Sequence, residues 1–428
     1  MKHFIHFLKQ YRWFILYTIL VTLLLYTRDI IDIPINKYIF VIICIGFSFI
    51  VKYYELISII TFTLPLMCGL PSNYLLPIWC VLVAWNQIKH RTIYSPALFF
   101  VLLFSIWEIL ISSFYPVEIQ IPNYIGYISS LMLLCLLSAE KSHSDITYSV
   151  VAFLIGCCVL LILIYMAYIK DPTLMIIDGG RRMGGVSYTE EGVMSLKANA
   201  NSVGLISATA ISISLTLFYY KKLRLFPFIL TVISCFYCGL FAVSRTWAIL
   251  VFLCFLLYFI FQRENKKMGY LMLFVLIIGV VFFLSQNGAI LQVFEERFLE
   301  DDIESAGGRT SIFEDYNNYL FNNPFNLLCG TSALLYKEVT GLSHSTHNGM
   351  QQILVSYGII GFFIFMYAYV SQIKAYYVKR HYMACLPMLI TFLFLQTLQV
   401  LNPYYGLYPV IASFLVMRLI NAESHYKN

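Results

Sequence analysis

Charge is scarce in this chain. Of its 428 residues, 12% are Asp, Glu, Lys or Arg, about half the share of an ordinary soluble domain. That scarcity, with apolar runs too long and numerous for one core to bury, excludes a soluble fold. Sustained apolar–polar alternation is missing too, which excludes a membrane β-barrel. Cysteine offers no disulfide framework: of 11 Cys, only Cys329 stands in a long polar loop. The single C-x-x-C, Cys235 and Cys238, lies inside an apolar run with no second ligand pair, so it reads as small packing residues rather than a zinc site. No small-residue cleavage site follows the first apolar run, which reads as a retained signal anchor. The net charge of +6 sits at segment ends. It therefore describes topology, and no nucleic-acid partner is expected.

What remains is apolar and aromatic. Hydrophobic residues make up 60% of the chain and aromatics 17%, as expected of many membrane helices with wet interfacial ends. Fourteen runs qualify, near 14–33, 38–51, 56–70, 74–85, 93–114, 124–139, 147–169, 202–219, 225–243, 246–261, 269–285, 349–370, 382–401 and 405–420. Spans two to four are short against the roughly 20 residues that a bilayer requires. Counted as partly re-entrant, they bring the number to twelve. The expected fold is an all-α polytopic membrane protein of about 12–14 transmembrane helices, with a large outward-facing loop that contains short helices.

With the N-terminus placed inside, the segments on its side, among them 89–92, 221–224, 263–267 and 374–380, hold 18 of the 28 Lys and Arg. The positive-inside rule makes that face cytoplasmic, and both termini with it. Two long loops then face outward. The expected division is N-terminal helices 1–170, a first outer loop 171–201, central helices 202–285, a large outer loop 286–348 and C-terminal helices 349–428. Long loops in compact proteins are functional or disordered. The second contains an apolar-periodic stretch, 309–325, that predicts a helix ending near Pro324.

The polar residues that could do chemistry cluster at the outer face. Arg245, in "FAVSRTWAILVF", enters an apolar helix. A guanidinium there is either a snorkelling anchor or a fixed cation in an outward cavity. Arg309 opens the loop helix after two glycines, a position that suits an anion or an ordinary turn. Arg181 and Arg182, between glycine pairs in "DGGRRMGG", suit anion binding or a solvated loop. His344 and His347 are three apart, but no acidic or cysteine partner follows at a matching interval, so no metal is expected. A neutral imidazole is also a good proton acceptor near pH 7. Asn348 and Gly349 then lead into the next apolar helix.

The order and sidedness of these pieces resemble the O-antigen polymerase and O-antigen ligase superfamily, membrane glycosyltransferases of the GT-C type. "SRTW" (244–247) resembles the family's Ser-Arg at an outer helix start. "GGRTSIFEDYNNYLFNNPFNLLCGTS" (307–332) resembles its Arg, helix, Asn/Glu-Pro and Gly-rich turn. "THNGMQQILVSYGIIGFF" (346–363) resembles its His-Asn pair and following helix. The likeness covers roughly 180–370. In "RRMGG…KANAN" Ala200 replaces the family's Pro, so little carries over from that stretch. The resemblance implies a donor glycan on undecaprenyl pyrophosphate in the outer leaflet of the bacterial inner membrane. It implies no cofactor, inversion at the anomeric carbon, and work alongside a chain-length regulator. It makes His347 the base or the residue that orients the acceptor hydroxyl, and Arg245 and Arg309 the cations on the pyrophosphate. Arg181, Arg182, His344 and Asn348 are the substrate-binding candidates.

Richness in Ile, Phe, Tyr and Asn leans the reading from ligase toward polymerase by association. A metal-dependent enzyme would instead use Asp29 and Asp32, or the acids at 300–302. A flippase or transporter would use Glu108, the acid within a predicted span. Losing a preorganised charge partner costs on the order of 3 kcal/mol in the transition state. Arg245→Lys keeps the charge but loses the planar fork, so strongly reduced polymer is expected at equal protein level. A normal product ladder from that variant would remove Arg245 from the site.

Overall fold

The computed structural model describes residues 10–90, 95–117, 121–138, 143–170, 176–177, 180–181, 200–262, 281, 285, 309–377, 381–398 and 407–426. The molecule is an all-α membrane protein. The helices in its first half are α1 (Arg12–Asp29), α2 (Lys37–Ile50), α3 (Tyr53–Thr63), α4 (Ser72–Lys89), α5 (Ser95–Ser113), α6 (Ile121–Ser138) and α7 (His143–Lys170). Then come α8 (Ala200–Tyr219), α9 (Leu225–Phe241) and α10 (Arg245–Phe261). The outer loop contributes α11 (Arg309–Asn322), α12 (Pro324–Cys329) and α13 (Tyr336–Thr340). The chain finishes with α14 (Gly349–Tyr376), α15 (Leu386–Leu395) and α16 (Leu407–Tyr426). A two-residue antiparallel pairing, Ile176–Ile177 with Gly180–Arg181, interrupts the helical pattern.

Thirteen of the fourteen expected runs coincide with these helices; the run at 269–285 lies almost wholly outside the described residues. Among the described residues three helices are long and apolar enough to cross a membrane: Ile146–Lys170, Ala200–Tyr219 and Gly349–Tyr367. Helix α8 is the central one, packed by α7, α9, α10, α15 and α16. Several of its Ser and Thr hydroxyls find partners. Ser207 donates to the Cys235 carbonyl at 2.6 Å, Thr216 to the Met383 carbonyl at 3.0 Å, and Thr209 pairs with Thr391 at 3.2 Å. Small hydroxyl residues let helices approach closely where lipid supplies no hydrophobic drive between them.

The carboxylates proposed for a metal are engaged by cations. Asp29 accepts from Arg28 Nε at 2.9 Å and Nη2 at 2.8 Å, both residues fully buried, and Arg28 Nη1 reaches the Gly69 carbonyl at 2.8 Å. Asp32 pairs with Lys170. The acids at 300–302 lie outside the described residues. Cys235 and Cys238 pack α9 on α7, against Cys158 and the Leu161 carbonyl.

The sequence reads 349–370 as one helix, and the structure breaks it. Gly358 has φ 65 and ψ −172, a conformation open to glycine and not to L side chains. The Val355 and Ser356 carbonyls just before the break accept from Thr331 N and Ser332 N, each at 2.9 Å. The end of α12 crosses here backbone to backbone, and a Cβ on Gly358 would collide with the Leu328 carbonyl. For alanine this near-glycine-only region of backbone space costs about 1–3 kcal/mol. Gly341 shares a positive φ of 70 but has nothing within 4 Å. Gly358→Ala is therefore expected to destabilise by clearly more than Gly341→Ala, read as thermal unfolding of the purified protein. Equal losses would mean that the crossing contributes nothing.

Candidate active site

The outer-loop helices carry their own small core. Tyr316 and Leu320 of α11 bury one face against Tyr336 of α13 and Val355 of α14. Two polar contacts then fix the histidine loop to that core. Tyr316 donates its hydroxyl to the His344 carbonyl at 2.6 Å. Gln351, in the first turn of α14, donates to the Phe313 carbonyl at 2.8 Å and to Asn317 Oδ1 at 3.2 Å. Asn348 caps α14, its side chain accepting from Gln351 N at 3.0 Å. A short polar side chain at this position satisfies an otherwise open amide of the first turn.

His347 precedes that cap with φ 48. Left-handed backbone in a non-glycine residue costs about 1–3 kcal/mol and persists where the surroundings fix it. The side chain is half-buried. Burial holds its pKa below the usual imidazole value, and the charges of Arg309, Lys337 and His344 push it the same way. The imidazole is thus neutral near pH 7 and can accept a proton. His344 is exposed.

Folding therefore brings Arg309, His344, His347 and Asn348 together. Arg309 is the first residue of α11, and the docking of α11 on α14 sets its charge beside His347. Arg245 stands elsewhere, as the first residue of α10, which packs on α8 and α15. Ser244 caps α10 by accepting from Trp247 N at 3.4 Å, and lies 3.4 Å from Asn201. Trp247 Nε1 donates to Ser207 at 2.9 Å, which pins this helix start to α8. Val243, just before it, has φ 43, an outlier for a β-branched residue. Arg181 lies in the short pairing opposite Ile176. Arg182 and the two glycines before Arg309 lie outside the described residues.

Sequence reasoning missed Lys337, an unremarkable loop lysine with no local signal. It also missed Tyr316 and Gln351, whose roles depend on partners 28 and 38 residues away. Glu108 stood out as the acid within a span, but the structure assigns it a holding role. It is fully buried and accepts from Ser332 Oγ at 2.5 Å, Ala333 N at 3.0 Å and Leu334 N at 3.3 Å.

The lowered pKa of His347 places the acid limb of a base-dependent reaction below the ordinary value of about 6.5. Because the folded chain holds that proton less well than the unfolded chain, acidification through this range also removes stability. Lys337→Ala takes away one opposing charge, so the acid limb of the pH–rate profile is expected to move to higher pH. An unmoved limb would assign the titration to another group.

A family model described as O-antigen ligase matches residues 229–366. No curated protein and no solved structure matches the chain. The matched stretch runs from α9 into α14 and takes in Arg245, Arg309, His344, His347 and Asn348. The match over residues 229–366 is consistent with the O-antigen polymerase and ligase superfamily.

Proposed function

We propose that the chain is a polysaccharide polymerase of the bacterial inner membrane. It moves a glycan from undecaprenyl pyrophosphate to a hydroxyl of another lipid-linked repeat unit, outside the cytoplasm and without metal. The observation that supports this most is the neutral, half-buried His347 beside Arg309. His347 takes the acceptor hydroxyl proton as the acceptor oxygen bonds to the anomeric carbon. The bond from that carbon to the pyrophosphate oxygen breaks on the opposite face, so the configuration inverts. Negative charge then grows on the leaving pyrophosphate, where Arg309 and Arg245 serve as planar, bidentate cations. Arg181, Arg182, His344 and Asn348 are assigned to substrate binding, and a chain-length regulator is the expected protein partner.

A ligase that passes finished glycan to lipid A-core would use the same chemistry with a different acceptor, and the description of the matching family favours it. The transporter reading loses its central residue, since Glu108 is occupied in holding the outer loop.

The test is the surface polysaccharide profile of a deletion strain complemented with wild type or His347→Ala at matched expression. Collapse to single repeat units on lipid A-core is expected, and identifies a polymerase that needs His347. Loss of all lipid A-linked sugar, with long lipid-linked chains accumulating, would identify a ligase. An unchanged ladder would sink the catalytic role of His347.

A further inference from the structure

The outer loop does not stay above the end of α5. Glu108 stands five residues before Ser113, the last residue of that helix, or roughly 7 Å along its axis. Yet Glu108 accepts from the backbone of Ala333 and Leu334, and Trp107 Nε1 donates to the Cys329 carbonyl at 3.1 Å. The chain from α12 through residue 334 therefore descends beside α5 by more than one helical turn. It rises again through α13 before α14 begins. Tyr115 fastens the upper part of the descent, donating to Asn326 Oδ1 at 2.6 Å.

The outward side of this descent is apolar. Phe321 is 72% exposed, Phe325 54% and Leu328 49%. On α5 itself Ile106, Ile109, Leu110 and Phe114 are exposed as well, the face expected to meet lipid. The rings of Phe114 and Phe325 meet edge to face at 5.9 Å. The exposed face of the loop thus continues the lipid-facing surface of α5 without a polar break at that junction. Its polar backbone turns the other way, toward Glu108, Trp107 and the carbonyls of α14. Non-helical backbone is tolerated at membrane depth only when protein satisfies it, and here protein does.

We infer that residues 321–334 form a re-entrant segment of the outer leaflet, with Phe321, Phe325 and Leu328 in contact with the acyl chains of bilayer lipid. This holds α11 and the His347 loop at the membrane surface, and it needs no assumption about the reaction.

Nitroxide accessibility in the full chain tests it. Phe321→Cys, Phe325→Cys and a control, Ser343→Cys, are each spin-labelled in a Cys329→Ser background and reconstituted in phosphatidylcholine vesicles. The signal of the background protein is subtracted. Oxygen, which partitions into lipid, should relax labels 321 and 325 more than a water-soluble nickel chelate does. The oxygen-to-nickel ratio there should exceed that at 343 several-fold. Ratios at 321 and 325 equal to that at 343 would overturn the inference and place the segment in water. Oxygen exposure that falls when undecaprenyl phosphate is added would overturn it in another way, by assigning the face to an isoprenoid ligand. Using two labelled positions keeps the test decisive if one variant folds poorly.

Discussion

One buried carboxylate ties the two halves of this protein together. Glu108, on α5, has no exposed surface, and three of its hydrogen bonds go to the turn at 332–334, more than 220 positions later in the chain. A polar group buried without partners costs several kcal/mol, and a charged one more. The same group fully bonded fixes geometry, since no other placement of the loop satisfies it as well. Tyr357, hydrogen-bonded to Glu108 and to Tyr127, extends the network into α6 and α14.

From that anchor the outer site follows. The turn at 332–334 is held on α5, so Thr331 and Ser332 can bond α14 just before its break at Gly358. The break leaves a short first segment of α14, buried in protein, that begins at the Asn348 cap. Helix α11 docks on that segment through Gln351 and Tyr316 and sets Arg309 beside His347. The strained φ of His347 is maintained by this packing rather than by its own preference. Helices α11 and α14 begin at Arg309 and just after His347, so their amide ends add positive potential beside that histidine.

Other buried charged groups among the described residues make contacts within the protein. Arg28 and Asp29 form a bidentate pair, with Phe40 beneath the guanidinium at 5.1 Å. Arg418, on the last helix, is buried with its Nη1 3.5 Å from the Leu137 carbonyl at the end of α6. What ties elements together is each arginine's reach to a distant carbonyl, Arg28 to Gly69 and Arg418 to Leu137.

The sequence by itself determined the class and the positions of the apolar helices. Apolar runs, their charged ends and the helix stop near Pro324 are local signals. They act through neighbours a few residues away, so a linear reading finds them. Only the tertiary structure decided where α14 breaks, because Gly358 in "SYGIIGFF" opens the helix when Leu328 crosses it. Only it decided what Glu108 does, since a lone acid in a span looks the same whether it faces a transport path or caps a distant turn. The neutral state of His347 was likewise outside the sequence: burial, with Lys337 and Arg309, sets it, and these meet through packing rather than spacing.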